Sequence, residues 1–484
     1  MELELFLSKI KKEKDPLIKK DLVLALKISQ EVKKHQGRAL VVGGFVRDEI
    51  LTKWGKGKPS KDIDLEVYGL SDKILKKIIG KFGKVNLVGE SFSVFKLGTL
   101  DISLPRKDSK IGKGHKGFKI VYNPKMSFKE ASRRRDFTIN ALGFDPLTGE
   151  VLDEHGGLKD LKQGIIRAVD YKLFGDDPLR ALRAVQLAAR FNFKIEEKTK
   201  TRCKKLNLTE LSWERISEEM KKLLLLSKQP SIGLELAHEF GVIKKLFPEL
   251  HSLIGLKQYK KWHPEGDVWI HNNMVVDEAA KIIRRENLNQ EKSEVIMWAA
   301  LTHDFGKAVT TMEDDYGKII STGHTEAGVP MAKSFLRKLK ISKKIIDRVL
   351  PLVRDHLFPA LVARKCGDAA IRRLAKRLYP STITDLLLLA EADHRGRKLS
   401  WDGFVEGKIL AKKAKKLDLE KKAPKPIFMG RHLLELGYQP KGQEKIFGQV
   451  IKMINEEELD GKIKNLTMAK KRAQRIAEKL GLNK

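Results

Sequence analysis

Strand-like patterning is confined to the first quarter of this chain, and that confinement limits what it can fold into. Between Gly37 and Leu104 run short β-branched and alternating stretches, ALVV, DIDLEVYG and VNLVGESFSVFKLGTLDISL, punctuated by glycine-containing turns. From Phe174 to the end, apolar residues recur at helical spacing almost without interruption, as in DPLRALRAVQLAARF, ERISEEMKKLLLLS and SIGLELAHEFGVIKKLF. Residues 1–36 are helical in pattern too. The expected class is therefore α+β: a small head with a mixed sheet, followed by an all-α neck, helical body and tail. The expected boundaries are an N-terminal helical extension over 1–36, the head over 37–165, the neck over 166–250, the body over 251–410 and a basic tail over 411–484. KILAKKAKKLDLEKKAPKPIF, lysine-dense and closed by two prolines, marks the last of these. RKDSKIGKGHKGFK, which begins at Arg106, is basic and aperiodic and reads as a mobile loop.

Charge narrows the partners. Lys and Arg outnumber Asp and Glu by 97 to 63, a net charge of +34. A polyanion is the natural partner of such a surface: nucleic acid first, an acidic membrane face second, with a merely solubilising basic surface as the bland reading. With 41% hydrophobic residues dispersed among 33% charged ones, wholesale disorder is excluded. The two cysteines, Cys203 and Cys366, are far apart and in no CxxC pattern, which excludes a disulfide framework and a cysteine-rich zinc site. The N-terminus lacks a leader layout, and no apolar run approaches the ~18–20 residues of a membrane span. A cytoplasmic location is expected.

The first candidate site is Asp62-Ile63-Asp64, in the second strand-like run. Alternate side chains of a strand share a face, which puts the two carboxylates together about 6–7 Å apart. They repel unless a cation lies between them, and Mg²⁺, which takes a few carboxylates plus substrate phosphates, suits the pair. A metal held this way activates an attacking hydroxyl and stabilises a leaving pyrophosphate. A solvent-facing acidic strand end explains DxD alone equally well. The preceding Gly43-Gly44-Phe45-Val46-Arg47-Asp48 shifts that balance. Glycines at a strand-to-helix turn let the backbone approach a phosphate, and the helix N-terminus adds amide donors. Arg47, one turn into that helix, is placed to clamp a triphosphate oxygen. Asp101, in LGTLDISL, offers a third carboxylate on a neighbouring strand, with a plain surface aspartate as its alternative.

GGFVRD, DID, RRRDFTINAL (Arg133 to Leu142) and DDPLRALRA (Asp176 to Ala184) follow one another in the order and spacing of one family. Over residues 37–250 the chain resembles the bacterial class II tRNA nucleotidyltransferases, the CCA-adding enzymes, and their relatives the bacterial poly(A) polymerases. The resemblance implies a nucleotidyltransferase head related to DNA polymerase β, with Asp62 and Asp64 holding Mg²⁺; the third catalytic carboxylate expected from the residues themselves is Asp101. It implies nucleotide contacts from Gly44 and Arg47, and from Arg135 toward phosphate or sugar; Gly43 and Arg134, adjacent to these, are expected to bind the nucleotide as well. In that family the equivalent of DDPLR reads the incoming base. Here that role falls on Asp177 and Arg180, which at i, i+3 on one helix face offer an acceptor and a donor fork. Arg183 extends the positive face toward the triphosphate. A simple helix salt bridge is the competing reading of Asp177 and Arg180. Where family members carry a further arginine, this chain has Gln186.

A second constellation lies in the body: His271, His303-Asp304, His324 and His356. AALTHDFGKAVTT puts His303 and Asp304 at the end of an apolar helix, GHTEAG puts His324 at a turn into a helix, and VRDHLFP puts His356 at another helix end. Imidazoles and a carboxylate converging from several helices make a divalent-metal site able to generate hydroxide for phosphoester hydrolysis. The pattern resembles the HD-domain phosphohydrolases, with His271 as first ligand and Asp393, in EADHRGR, as the last. The expected function is addition of CCA to tRNA 3′ ends from CTP and ATP, without a nucleic-acid template, by Mg²⁺-dependent nucleotidyl transfer with release of pyrophosphate. An HD phosphohydrolase with a divalent metal of open identity accompanies it. Two alternatives share these motifs: a poly(A) polymerase or an enzyme adding only CC or only A, and an RNA-binding phosphohydrolase with an inactive head. The expected partners are tRNA, CTP and ATP, with no membrane.

Overall fold

Helix α1 (Pro16–Lys34) starts where Asp15 accepts a hydrogen bond from Leu17 N at 3.0 Å, which satisfies one of the free amides of its first turn. Its buried stripe, Leu22, Ala25, Ile28 and Val32, recurs every three or four residues and packs on strand β1 (Arg38–Val42). The computed structural model to which these elements belong describes residues 10, 13, 15–56, 62–88, 94–110, 118–400 and 403–484. It divides into two compact units, residues 1–246 and 247–484. The helix expected over the first nine residues, and the loop around residues 57–61, lie outside the described residues.

The first unit is organised by a mixed seven-stranded sheet. After β1 come helix α2 (Gly44–Lys53) and strands β2 (Asp64–Tyr68), β3 (Asn86–Val88), β4 (Val94–Leu97) and β5 (Leu100–Ser103). Strands β6 (Arg106–Lys110) and β7 (Phe118–Tyr122) follow, then β8 (Gly143–Phe144) and β9 (Val151–Leu152). The sheet order is β3-β4-β5-β2-β1-β8-β9, with β2 and β5 parallel and the other pairs antiparallel. One register line crosses all seven strands through Asn86, Lys96, Asp101, Asp64, Val42, Gly143 and Leu152. The segment read as a mobile loop is instead paired at its flanks. There β6 and β7 form an antiparallel hairpin of their own, Arg106 opposite Tyr122 and Lys110 opposite Phe118. A hairpin outside the main sheet does not need the apolar alternation by which a half-buried strand is recognised. Residues 111–117 between the two strands lie outside the described residues.

The neck begins with α3 (Arg180–Phe191), which buries Ala181, Ala184, Val185 and Ala188 against α4 (Trp213–Leu226) and α5 (Pro230–Glu239). In the second unit, α7 (Gln290–Thr302) is buried on every side from Val295 to Thr302. It lacks an amphipathic stripe because α6 (Val268–Arg285), α9 (Lys343–Asp355) and α10 (Ile383–Arg395) surround it, the arrangement expected of a central helix. Between α7 and α9 lies α8 (His324–Lys338), whose Phe335 ring meets Trp298, Phe305 and Phe247 with centroids 5.2–6.4 Å apart. The C-terminal residues build a core of their own, where α11 (Glu444–Leu459) and α12 (Leu466–Leu480) enclose Phe428, Val450, Ile454, Ala473 and Ile476. No helix among the described residues is long and apolar enough to cross a membrane.

Candidate functional site

The register line carries the head carboxylates. Asp64 opens β2 with Asp62 two residues before it, and Asp101 lies directly opposite Asp64, one strand spacing of about 4.8 Å away. Lys96, next on the same line, pairs with Asp101 at 3.2 Å. Desolvation by the surrounding wall, with Asp101, Asp62 and Glu66 adding to it, raises the Asp64 carboxyl above its ordinary range even though Arg135 opposes this. Carboxylates crowded to that degree are relieved by a cation, so the donor set fits a divalent ion.

A glycine turn closes the other side. Gly43 adopts φ 78° and donates its N–H to Leu142 O at 3.2 Å. A Cβ on it would stand 2.9 Å from Arg135 Nη1 and 3.5 Å from Asp64 Oδ2. The position thus requires glycine for its backbone and again for its surroundings. Gly44 then opens α2. Arg135 is held beside Asp64 by a residue the D-x-D reading passed over. Glu66 continues the alternation, is fully buried, accepts from Arg134 Nη2 at 2.9 Å and Tyr68 Oη at 2.6 Å, and lies 3.8 Å from Arg135 Nη2. Burial opposes its ionisation, yet Arg135 and Arg134 hold it below the usual range.

Arg47 is enclosed by the protein. Its guanidinium is buried, donates to Asp48 Oδ1 at 2.8 Å and to Asn140 Oδ1, and lies 4.9 Å from the centre of the Phe191 ring. It is one link in a polar chain that runs between neck and glycine turn. Glu219 lies 3.6 Å from Arg183, Arg183 Nε donates to Asp136 at 2.5 Å, Asn140 Nδ2 donates to Asp136 at 2.9 Å, and Arg190 donates to Asp48 at 2.9 Å. Burial opposes the Asp136 charge, but Arg183 and Asn140 hold its carboxyl at about 2. Asp48, Asp136 and Asn140 were all inside the recognised motifs, and only their partners were invisible.

Asp177 and Arg180 do not share a helix face. Asp177 precedes α3 in extended backbone (φ −121°, ψ 102°), because Pro178 disfavours the helical region for the residue before it. Its carboxylate accepts from Leu179 N at 3.1 Å and from Arg215 Nη2 at 2.7 Å. Arg180 donates instead to Leu173 O at 2.7 Å and Arg134 O at 2.6 Å, so the helix salt bridge between the two is not what occupies them. Gln186 is buried, and its Nε2 has no hydrogen-bond partner among the described residues.

The second unit gathers its histidines around Asp304. His303, His324 and His356 each place Nδ1 against a backbone carbonyl, those of Ala300, Ser321 and Val353, at 2.7–2.8 Å. A carbonyl can only accept, so the proton sits on Nδ1 and each Nε2 presents a lone pair. Those three Nε2 atoms lie 3.2–3.9 Å from Asp304 oxygens. His271 Nε2 lies 3.0 Å from Asp393 Oδ1 and 3.8 Å from Asp304 Oδ2. Burial disfavours the Asp304 charge, but His303 and Lys307 hold the group well below its ordinary range. Burial, and then His303, push His356 down to about 3. Buried lone pairs converging on carboxylates, with His303 Nε2 and His324 Nε2 lacking a hydrogen-bond partner among the described residues, make a donor set that fits a divalent metal. Lys307, just past the glycine break after the HD pair, gains a partner here, and Arg397 and Glu265 join the centre without a signal in the sequence. Lys307 and Arg397 pair with Asp304 and Asp393 at 2.7 and 2.9 Å, and Glu265 Oε1 lies 2.8 Å from both His271 Nδ1 and His263 Nδ1.

Family models match in the same order: "Poly A polymerase head domain" over residues 39–167, "Probable RNA and SrmB- binding site of polymerase A" over 192–254, and "HD domain" over 268–395. The multifunctional CCA protein of Xanthomonas campestris pv. campestris (strain B100) is 34% identical over 371 residues, covering 74% of this chain and 85% of that protein. That of Stenotrophomonas maltophilia (strain K279a) is 33% identical, covering 74% and 86%. The chain belongs to the multifunctional CCA protein family. As a member, it is a nucleotidyltransferase that carries an HD domain, and both domain families depend on divalent metals. The Bacillus stearothermophilus CCA-adding enzyme in complex with CTP shares the fold, with a TM-score of 0.63 at 20% identity, covering 94% of this chain and 98% of that one. The Thermotoga maritima CCA-adding enzyme complexed with tRNA_CCA does so with a TM-score of 0.56 at 20% identity, covering 99% of each.

Proposed function

We propose that this chain adds C, C and A to the 3′ end of tRNA from CTP and ATP, and that its HD centre removes phosphate groups from RNA ends. The observation that carries the first part is the register line that sets Asp64 beside Asp101 while Gly43 and Arg135 close over the same carboxylate. The terminal ribose hydroxyl forms a bond to the α-phosphorus of the nucleotide, the bond to the β-phosphate oxygen breaks, and pyrophosphate leaves. Asp62, Asp64 and Asp101 would hold Mg²⁺, which when bound supplies charge to the attacking and leaving oxygens. The first amides of α2, from Gly44 onward, would face the triphosphate where Gly43 lets the backbone approach, and Arg135, braced by Glu66, would neutralise it.

Asp177 and Arg180 supply the acceptor and donor edges for cytosine and adenine. Each terminal nitrogen of Arg180 keeps a second N–H beyond its carbonyl bond. In the HD domain His271, His303, Asp304, His324, His356 and Asp393 would hold a divalent metal that supplies hydroxide. A cytoplasmic location belongs to the same proposal, supported by two buried free thiols at Cys203 and Cys366.

The decisive experiment gives tRNA lacking its CCA end CTP and ATP, singly and together, and reads product length and sequence. Addition stopping at CCA supports the proposal. Open-ended addition of A to unrelated RNA replaces it with a poly(A) polymerase. Asp64→Ala is expected to abolish incorporation while nucleotide binding persists, and normal incorporation by that variant overturns the assignment.

A further inference from the structure

The stretch that leads into α6, Leu256–Asp267, reads LKQYKKWHPEGD and interleaves three lysines with two aromatic rings. Trp262 is 53% exposed, and Tyr259 is half-buried. Lys261 Nζ lies 5.5 Å from the centre of the Trp262 ring, and Lys318 Nζ lies 5.1 Å from that of Tyr259. An indole left in water beside cations is a stacking surface without its partner.

The stretch is also fixed to the histidine–aspartate centre at two points. Gln258 Oε1 accepts from Lys307 Nζ at 2.7 Å, and the same ammonium pairs with Asp304 at 2.7 Å. The His263 ring meets the His271 ring with centroids 4.6 Å apart, and Trp262 is the adjacent residue. The exposed ring therefore stands one residue from a group that touches the centre.

We infer that this ledge docks the single-stranded 3′ end of an RNA at the HD centre, with Trp262 stacking on a base and Lys257, Lys260 and Lys261 binding its phosphates. The inference rests on the phosphohydrolase reading of that centre. Charge complementarity selects the occupant. A protein partner would meet lysines where the middle of an interface is depleted of them, whereas RNA offers both phosphates and π-faces. The hairpin that brings Lys318 to Tyr259 carries Glu313, Asp314 and Asp315, so the basic surface is short and suits a few nucleotides rather than a duplex.

The test uses the full chain and a short unstructured RNA that ends in a 3′-phosphate and carries 4-thiouridine as its last base. Ultraviolet irradiation is expected to cross-link the RNA to the peptide containing Trp262. Trp262→Ala is expected to raise the KM for phosphate release about 5- to 150-fold, the factor set by losing one base stack, with kcat unchanged. Trp262→Phe restores most of the loss, since it keeps a ring. Lys260→Ala combined with Lys261→Ala lowers the slope of log KM against log salt by about 1.4. Cross-links confined to other peptides, or a Trp262→Ala KM within twofold of the parent, overturn the ledge while leaving the phosphohydrolase reading intact. Cross-linking at the ledge with no phosphate released by any form supports the ledge and sinks the phosphohydrolase reading.

Discussion

Asp136→Asn tests the polar chain between neck and glycine turn. Asp136 is buried, and its carboxyl sits at about 2 instead of 3.8 because Arg183 and Asn140 outweigh the cost of burial. That depression is worth about 2 kcal/mol of folding stability at pH 7. A third of the Arg183 side chain remains in solvent, which keeps the figure from rising toward the 3–5 kcal/mol of a fully buried broken pair. At about 2–4 °C per kcal/mol for a unit of this size, the melting transition of the first unit is expected to fall by about 4–8 °C. The sign of the pH dependence follows from the direction of the depression. A carboxyl held low in the folded state stabilises above its unfolded value and loses that contribution as pH falls through the folded value. The gap between parent and variant is therefore expected to shrink to about half by pH 3. Melting followed by circular dichroism at pH 7 and pH 3 reads both quantities. Equal melting at pH 7, or a gap unchanged at pH 3, refutes the reasoning.

Three further perturbations separate the sites. Gly43→Ala forces a side chain into left-handed backbone at a cost of about 1–2 kcal/mol and displaces Arg135, so kcat/KM for CTP incorporation is expected to fall at least tenfold; a parental value would show that the turn tolerates a Cβ. Glu265→Gln is expected to weaken Mn²⁺ binding at the HD centre about 10- to 100-fold, read by calorimetry with the head silenced by Asp62→Ala and Asp64→Ala; unchanged affinity would make Glu265 a bystander. Asp304→Asn is expected to end phosphate release while CCA addition proceeds at the parental rate, and joint loss of both activities would contradict two independent sites.

The sequence was most legible where chemistry and backbone pattern coincide. The Asp62–Asp64 pair is readable because alternation along a strand is a local rule, and the His303-Asp304 pair because an apolar helical run ends there. Their partners were not readable in the same way. Glu66 obeys the same alternation as Asp64, but only the fold shows that Arg134 and Arg135, some seventy residues on, close over it. In sequence Arg47 reads as a triphosphate clamp, or as an exposed helix arginine paired with Asp48, because its neighbourhood is a phosphate turn. In space it is enclosed by Asn140 and Phe191. The misplacement of Asp177 on the helix had a local remedy, since Pro178 signals that the residue before it leaves the helical region. The β6–β7 hairpin offered no comparable signal, as its pairing is set by the backbone and not by apolar spacing.

The histidines at the HD centre do more than present a lone pair. His303 and His356 are the first residues past the ends of α7 and α9, and each Nδ1 binds a carbonyl of the last turn that no helical amide can reach. The bond that aims the ligand is therefore the bond that finishes the helix. Inserting or deleting a single residue near either end turns the ring by about 100° and leaves a carbonyl bare, so helix length here is as tightly constrained as residue identity. It also means that the metal-free protein holds its ligands already aimed, and that replacing either histidine destabilises a helix end before any metal is considered.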